Sequence, residues 1–146
     1  MSWLPKKKVV VPVDFSGESE HSIAVALELV ADPSELYLVH VLFPLDNVSP
    51  GVLLGDMTDE KRAEAVRDSF DKLLQQLGVT GVNIEVLFGK PGLEVAEYAA
   101  RIGADLIAIP SHGYDGVTRL LLGSVAERVI RHAECSVLVL RRSDAE

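Results

Sequence analysis

A chain of 146 residues with 48% apolar and 25% charged residues has the length and balance of one ordinary domain, and it excludes a disordered or fibrous polymer. A formal net charge of -8 repels a phosphate backbone, so nucleic acid is not an expected partner. The single cysteine, Cys135, excludes an internal disulfide framework and a multi-cysteine metal site, which fits a reducing cytoplasm.

The opening "MSWLPKKKVVVPVD" lacks the charged-then-apolar order of a secretory signal, and no apolar run reaches the roughly 20 residues of a membrane helix. The expectation is one domain over residues 1–146, neither exported nor inserted. Residues 8–16, "KVVVPVDFS", are β-branched and continuous, the pattern of a strand buried on both faces. Lys6, Lys7 and Lys8 before it, like Arg141 and Arg142 near the end, are expected to solubilise sheet ends. Trp3 and Leu4 either clamp a partner subunit or pack on the first strand.

Ser16 is placed to cap a first helix, with Glu18 and Glu20 in its first turn and Ile23, Ala26, Leu27 and Val30 on one face, ending at Asp32 and Pro33. Residues 35–43, "ELYLVHVLF", predict a second buried strand, followed by a long Pro- and Gly-containing loop over 45–57 that is either a lid or an exposed connector. A second helix is expected from Thr58 to Gly78, with Ala63, Val66, Phe70, Leu73, Leu74 and Leu77 as its apolar stripe. Residues 82–88 alternate and suit an edge strand; a short helix follows over 93–102, closed by Gly103. Strand four is expected over 105–110, helix four over 124–132 and strand five over 135–141.

Strands alternating with helices in this way pair in parallel through right-handed crossovers, which predicts a doubly wound α/β sheet with helices on both faces. Ligands in such sheets sit beyond the carboxyl ends of the strands, where the winding reverses. Asp14 ends strand one there, able either to accept from a ribose hydroxyl or an exocyclic amine, or simply to cap helix one. Strand four runs into "PSHGYDGVTRLLLGS", whose Gly113, Gly116 and Gly123 permit close backbone approach, while Gly123 and Ser124 open a helix whose amides suit a phosphate. The pattern is neither a Walker loop nor a dinucleotide fingerprint, so lysine-assisted phosphoryl transfer and nicotinamide or flavin binding lose support.

From "VVVPVDFS" through "GKP" and "GADLIAIPSHG" to "LLLGSVAERVIRHAECSVLVLRR", the chain resembles the universal stress protein family along essentially its whole length. That resemblance implies a flavodoxin-like, adenine nucleotide alpha hydrolase-like sheet of five strands in the order 3-2-1-4-5, and a G-x2-G-x9-G-[S/T] motif for ATP phosphates and ribose. This chain reads P-x2-G-x9-G-S, with Gly113, Gly123 and Ser124 on the later motif positions and Pro110 on the first. Proline has no N–H and a fixed φ, so a contact made by glycine there is lost or altered.

By the same resemblance, Pro12 and Val13 line an adenine slot, Asp14 faces ribose or base, Val41 offers its backbone to the adenine edge, and Val125 adds an amide at the phosphates. The implied cofactor is ATP or a related adenine nucleotide, with magnesium carried by a triphosphate. The implied assembly is a homodimer through the edge of strand five, residues 136–141, from Ser136 at its head to Arg141 at its tail. His112 stands either near the phosphate or simply in the loop, and His40 reads as a satisfied core histidine. The four histidines share no metal-ligand spacing. The functional expectation is a nucleotide-binding stress-response or signalling module. The alternatives are an interaction protein that Pro110 has deprived of nucleotide, or a slow ATP hydrolase using Arg119.

Overall fold

In the computed structural model, which describes residues 2–44, 57–111 and 122–141, the β-branched run forms strand β1 (Val9–Pro12), whose three valines are fully buried. It is followed by helix α1 (Gly17–Leu29), a 3-10 turn (Pro33–Glu35) and strand β2 (Leu36–Leu42). Helix α2 (Asp59–Leu77), strand β3 (Asn83–Phe88), helix α3 (Pro91–Ile102), strand β4 (Leu106–Pro110), helix α4 (Ser124–His132) and strand β5 (Ser136–Leu140) complete the order. All pairings are parallel and the sheet runs β3-β2-β1-β4-β5, the order that the resemblance implies.

Alternation along the strands divides the core into two layers. Val9, Val11, Val13, Leu36, Leu38, Leu106 and Ala108 meet Ile23 and Ala26 of α1 and Val66, Phe70 and Leu73 of α2. Val10, Val39, Leu87, Ile107 and Ile109 meet Val95, Tyr98 and Ala99 of α3 and Ala126 and Val129 of α4. Helices therefore cover both faces, and β3 is the more exposed edge strand that its alternation predicts.

Helix α2 keeps the limits read from its caps: the Thr58 hydroxyl accepts from the Lys61 amide, and Gly78 closes it in the left-handed region. Three expectations are corrected. Strand β1 ends at Pro12 and not at Ser16, because the ladder carries on only through the Val13 amide before the chain turns at Phe15, which adopts φ 65. Helix α1 ends at Leu29, since Val30 is extended and bridges Lys6, whose amide donates to the Leu29 carbonyl. Of the lysines before β1, Lys6 departs from the expectation, being buried with Nζ 3.5 Å from the Trp3 ring centre, while Lys7 and Lys8 stay exposed with their amides donating to Asp105. Trp3 thus covers Lys6 while staying exposed.

Ser16 precedes α1 but makes no side-chain cap bond, and its buried hydroxyl has no partner. Asp14 instead braces the turn ahead of the helix, its Oδ1 accepting from the Ser16 amide and the Ser19 hydroxyl, and no side chain caps a first-turn amide of α1 among the described residues. Thr58→Ala is therefore expected to cost about 1 kcal/mol, the usual worth of a bonded N-cap, and Ser16→Ala less than about 0.5 kcal/mol. Urea midpoints measured side by side check this; a larger loss at Ser16 would show that its hydroxyl is bonded after all.

Candidate functional site

The winding reverses between β1 and β4, and the sheet opens there. Their pairing stops at Val10 with Ile107, whereas β4 stays paired with β5 as far as Pro110 with Leu140. Ser111 extends that outer ladder by donating to the Leu140 carbonyl, so by alternation the nitrogen of Pro110 points to the β1 side. A proline is tolerated in this buried strand because the ladder bond it forgoes lies on the β1 side, where the pairing has already stopped, while the β5 side keeps its bonds. The same fact leaves one amide donor fewer at the opening.

On the β4 side, chain leaves at Ser111 and returns at Gly123, and the Gly123 amide donates to the Ser111 carbonyl at 2.7 Å. That clasp sets the start of α4 beside the end of β4. Gly123 is the N-cap and has no side chain to bond the first turn, so the amides of Ser124, Val125 and Ala126 head the helix without a side-chain cap among the described residues. Ser124 and Val125 are exposed and Ala126 is buried beneath them. The helix reaches this position because Gly92, in the first turn of α3, lies against it. A Cβ at Gly92 would stand 2.5 Å from the Arg128 Cβ and 3.1 Å from the Val125 carbonyl oxygen.

On the β1 side, Pro12 and Asp14 are partly exposed and Val13 is buried. The Val13 amide donates to the Val39 carbonyl at 2.7 Å, continuing the β1–β2 ladder by one bond. The Val13 carbonyl receives the Nδ1 proton of His40 at 2.6 Å; a carbonyl only accepts, which fixes the tautomer. The His40 ring lies 5.2 Å from that of Phe15, and Phe15 packs edge-on to Phe70 at 5.0 Å. Phe15 is the one non-glycine residue with positive φ among the described residues, so backbone strain sits in this turn. Val41 lies past the last β1–β2 pair, Pro12 with Val39; the Leu42 carbonyl accepts from Gly89 on the β3 side, so by alternation the main chain of Val41 turns toward β1.

Of the residues expected at the site, Pro12, Val13, Asp14 and Val41 stand at the ends of β1 and β2, and Pro110, Gly123, Ser124 and Val125 at the end of β4 and the start of α4. These two groups flank the opening. His112 and Gly113 lie outside the described residues, as do Gly116, Arg119 and all but Met57 of the 45–57 segment expected as a lid or a connector. Sequence reasoning missed His40, whose contact with Val13 spans 27 positions and leaves no local signal. Among the described residues the groups whose pKa moves are elsewhere: hydrogen bonds from Ser34 hold the Asp32 carboxyl below its ordinary value, and burial pushes up the Tyr98 hydroxyl on α3 and the Cys135 thiol ahead of β5. Among the described residues no cluster of three metal-ligating side chains occurs, and no helix is long and apolar enough to cross a membrane.

Residues 6–141 match the model of the Universal stress protein family. Universal stress protein MJ0531 of Methanocaldococcus jannaschii is 36% identical over 146 residues, covering 96% of this chain and 85% of its own. The hypothetical protein MJ0577 superposes with a TM-score of 0.75 at 26% identity, covering 97% of this chain and 100% of its own. Two further structures share the fold. A universal stress protein in complex with cAMP has a TM-score of 0.61 at 22% identity and covers 95% of this chain and 99% of its own. The Arabidopsis thaliana protein At3g01520 with AMP bound has a TM-score of 0.58 at 18% identity and covers 94% of this chain and 93% of its own. With the matched span running from before the first strand past the last, the chain belongs to the universal stress protein family.

Proposed function

We propose that the opening between β1 and β4 holds an adenine nucleotide, ATP or AMP, and that the protein is a cytoplasmic, single-domain stress-response or signalling module working as a homodimer. The observation that carries this reading is the start of α4, without a side-chain cap among the described residues and held at the sheet's opening by the Gly123–Ser111 bond. Free amides at the positive end of a helix dipole suit a phosphate. Gly123, Ser124 and Val125 take the phosphates, with His112 and Gly113 of the adjoining loop; Pro12, Val13 and Val41 hold the base and Asp14 the ribose. Magnesium arrives with a triphosphate. The cAMP and AMP complexes of proteins sharing this fold support the ligand class.

The test is thermal unfolding with and without AMP, ATP and magnesium. A ligand specific for the folded state at 100 times its Kd adds about 2.7 kcal/mol, which at this length raises Tm by several degrees. An unchanged Tm together with no calorimetric heat would favour the second reading, an interaction protein without nucleotide, which Pro110 supports by removing a donor from the opening. The homodimer is proposed through β5, an edge strand of partly exposed residues beyond Ser136, and light scattering of the eluted protein reads its mass.

A further inference from the structure

We infer that His40 is a positioning residue: its imidazole takes the Val13 carbonyl out of the β1–β2 ladder and so keeps the Val41 amide open for a ligand. The inference follows from the hydrogen-bond order of a parallel pair. Val39 directs both main-chain groups at β1, since it pairs with Pro12 and its carbonyl accepts from the Val13 amide. The next bond in that series runs from the Val41 amide to the Val13 carbonyl. It is not formed. The carbonyl is bonded by His40 Nδ1 at 2.6 Å, and the ladder stops one step early.

The imidazole can reach because β2 places His40 on the face of Leu36 and Leu38, toward α1 and α2, where Val13 is also buried. Phe15 then rests against the ring at 5.2 Å and is itself backed by Phe70 at 5.0 Å. The positive φ of Phe15 is the cost of bringing that ring over the histidine. Two amides flank Val41, those of His40 and Leu42, and both belong to the β2–β3 ladder that continues to Gly89. Val41 alone at this end of β2 therefore presents an unshared donor and acceptor side by side, spaced to meet the paired acceptor and donor on the edge of a purine with an exocyclic amine. His40 touches no ligand in this arrangement; it acts through Val13 and Val41.

The ligand arm of the test rests on the adenylate reading, and the exchange arm does not. Amide hydrogen exchange by NMR on the ligand-free protein is expected to find Val41 unprotected between protected His40 and Leu42. In His40→Leu the freed carbonyl takes the Val41 amide, which becomes protected. In His40→Asn the side-chain amide nitrogen stands where Nδ1 stood, and Val41 stays open. Calorimetry with AMP should then show roughly tenfold weaker binding for His40→Leu, the factor worth one ordinary hydrogen bond, and binding within about threefold of wild type for His40→Asn.

A Val41 amide already protected in the wild type overturns the inference, as does His40→Leu binding AMP as tightly as wild type. If wild type binds no AMP, the nucleotide reading falls, and exchange at Val41 in wild type and His40→Asn still decides the role of His40. Should His40→Leu fail to fold, the wild-type exchange pattern and the Asn variant decide it likewise.

Discussion

Gly92→Ala is expected to lower stability by about 1–3 kcal/mol and to shrink the Tm rise produced by adenylate. The methyl group would sit 2.5 Å from the Arg128 Cβ and 2.9 Å from its Cγ, separations that carbon atoms do not tolerate. The side chain of Arg128 cannot swing its own Cβ aside, so relief requires α3 and α4 to separate. The second obstacle is the Val125 carbonyl oxygen at 3.1 Å, which belongs to the first turn of α4. Separation therefore displaces the very amides proposed to meet a phosphate. A variant that melts lower by several degrees, yet gains as much from AMP as wild type, would detach α4 from the ligand. A variant as stable as wild type would mean that the two helices are not in this contact.

Phe70→Ala is expected to be the most destabilising single change, at about 3–5 kcal/mol, because the side chain is fully buried in the layer between the sheet and α1 and α2. Its loss also removes the edge-on partner of Phe15, whose backbone is held at φ 65. The Phe15–Phe70 pair should show a coupling of about 0.5–1.5 kcal/mol in a double-mutant cycle, the range for such aromatic contacts. Urea midpoints at constant slope measure both quantities. Additive effects at the two positions would remove the mechanical link from α2 to the β1 turn, and with it the support assigned to the His40 ring.

Local chemistry is what made α2 and the helix C-termini legible: Thr58, Gly78 and Gly103 act on groups within four residues of themselves. The sheet order followed from alternation of elements together with the family pattern; Asp14 was legible from ending the first β-branched run and Gly123 from preceding a helix, whereas Pro12, Val13 and Pro110 were picked out through the resemblance. What stayed hidden depended on distant partners. Nothing around Val30 announces that Lys6 will pair with it and stop α1 at Leu29. Ser16 carries a capping residue's identity, yet after the left-handed turn at Phe15 its hydroxyl is buried without a bond among the described residues, while its amide is taken by Asp14. His40 was legible as satisfied but not as tied to the end of β1, since its partner is a backbone atom in another strand.

The main-chain bond between Gly123 and Ser111 has a further consequence. It joins two points of the chain that are twelve positions apart in numbering but adjacent in space, and both partners are main-chain atoms. Substitutions within residues 112–121 leave the donor and the acceptor of that bond in the chain, because neither belongs to a side chain. The end of β4 and the start of α4 are thus tied by a contact that needs no particular side chain at either anchor, which makes the segment between them a place to test a grafted recognition sequence.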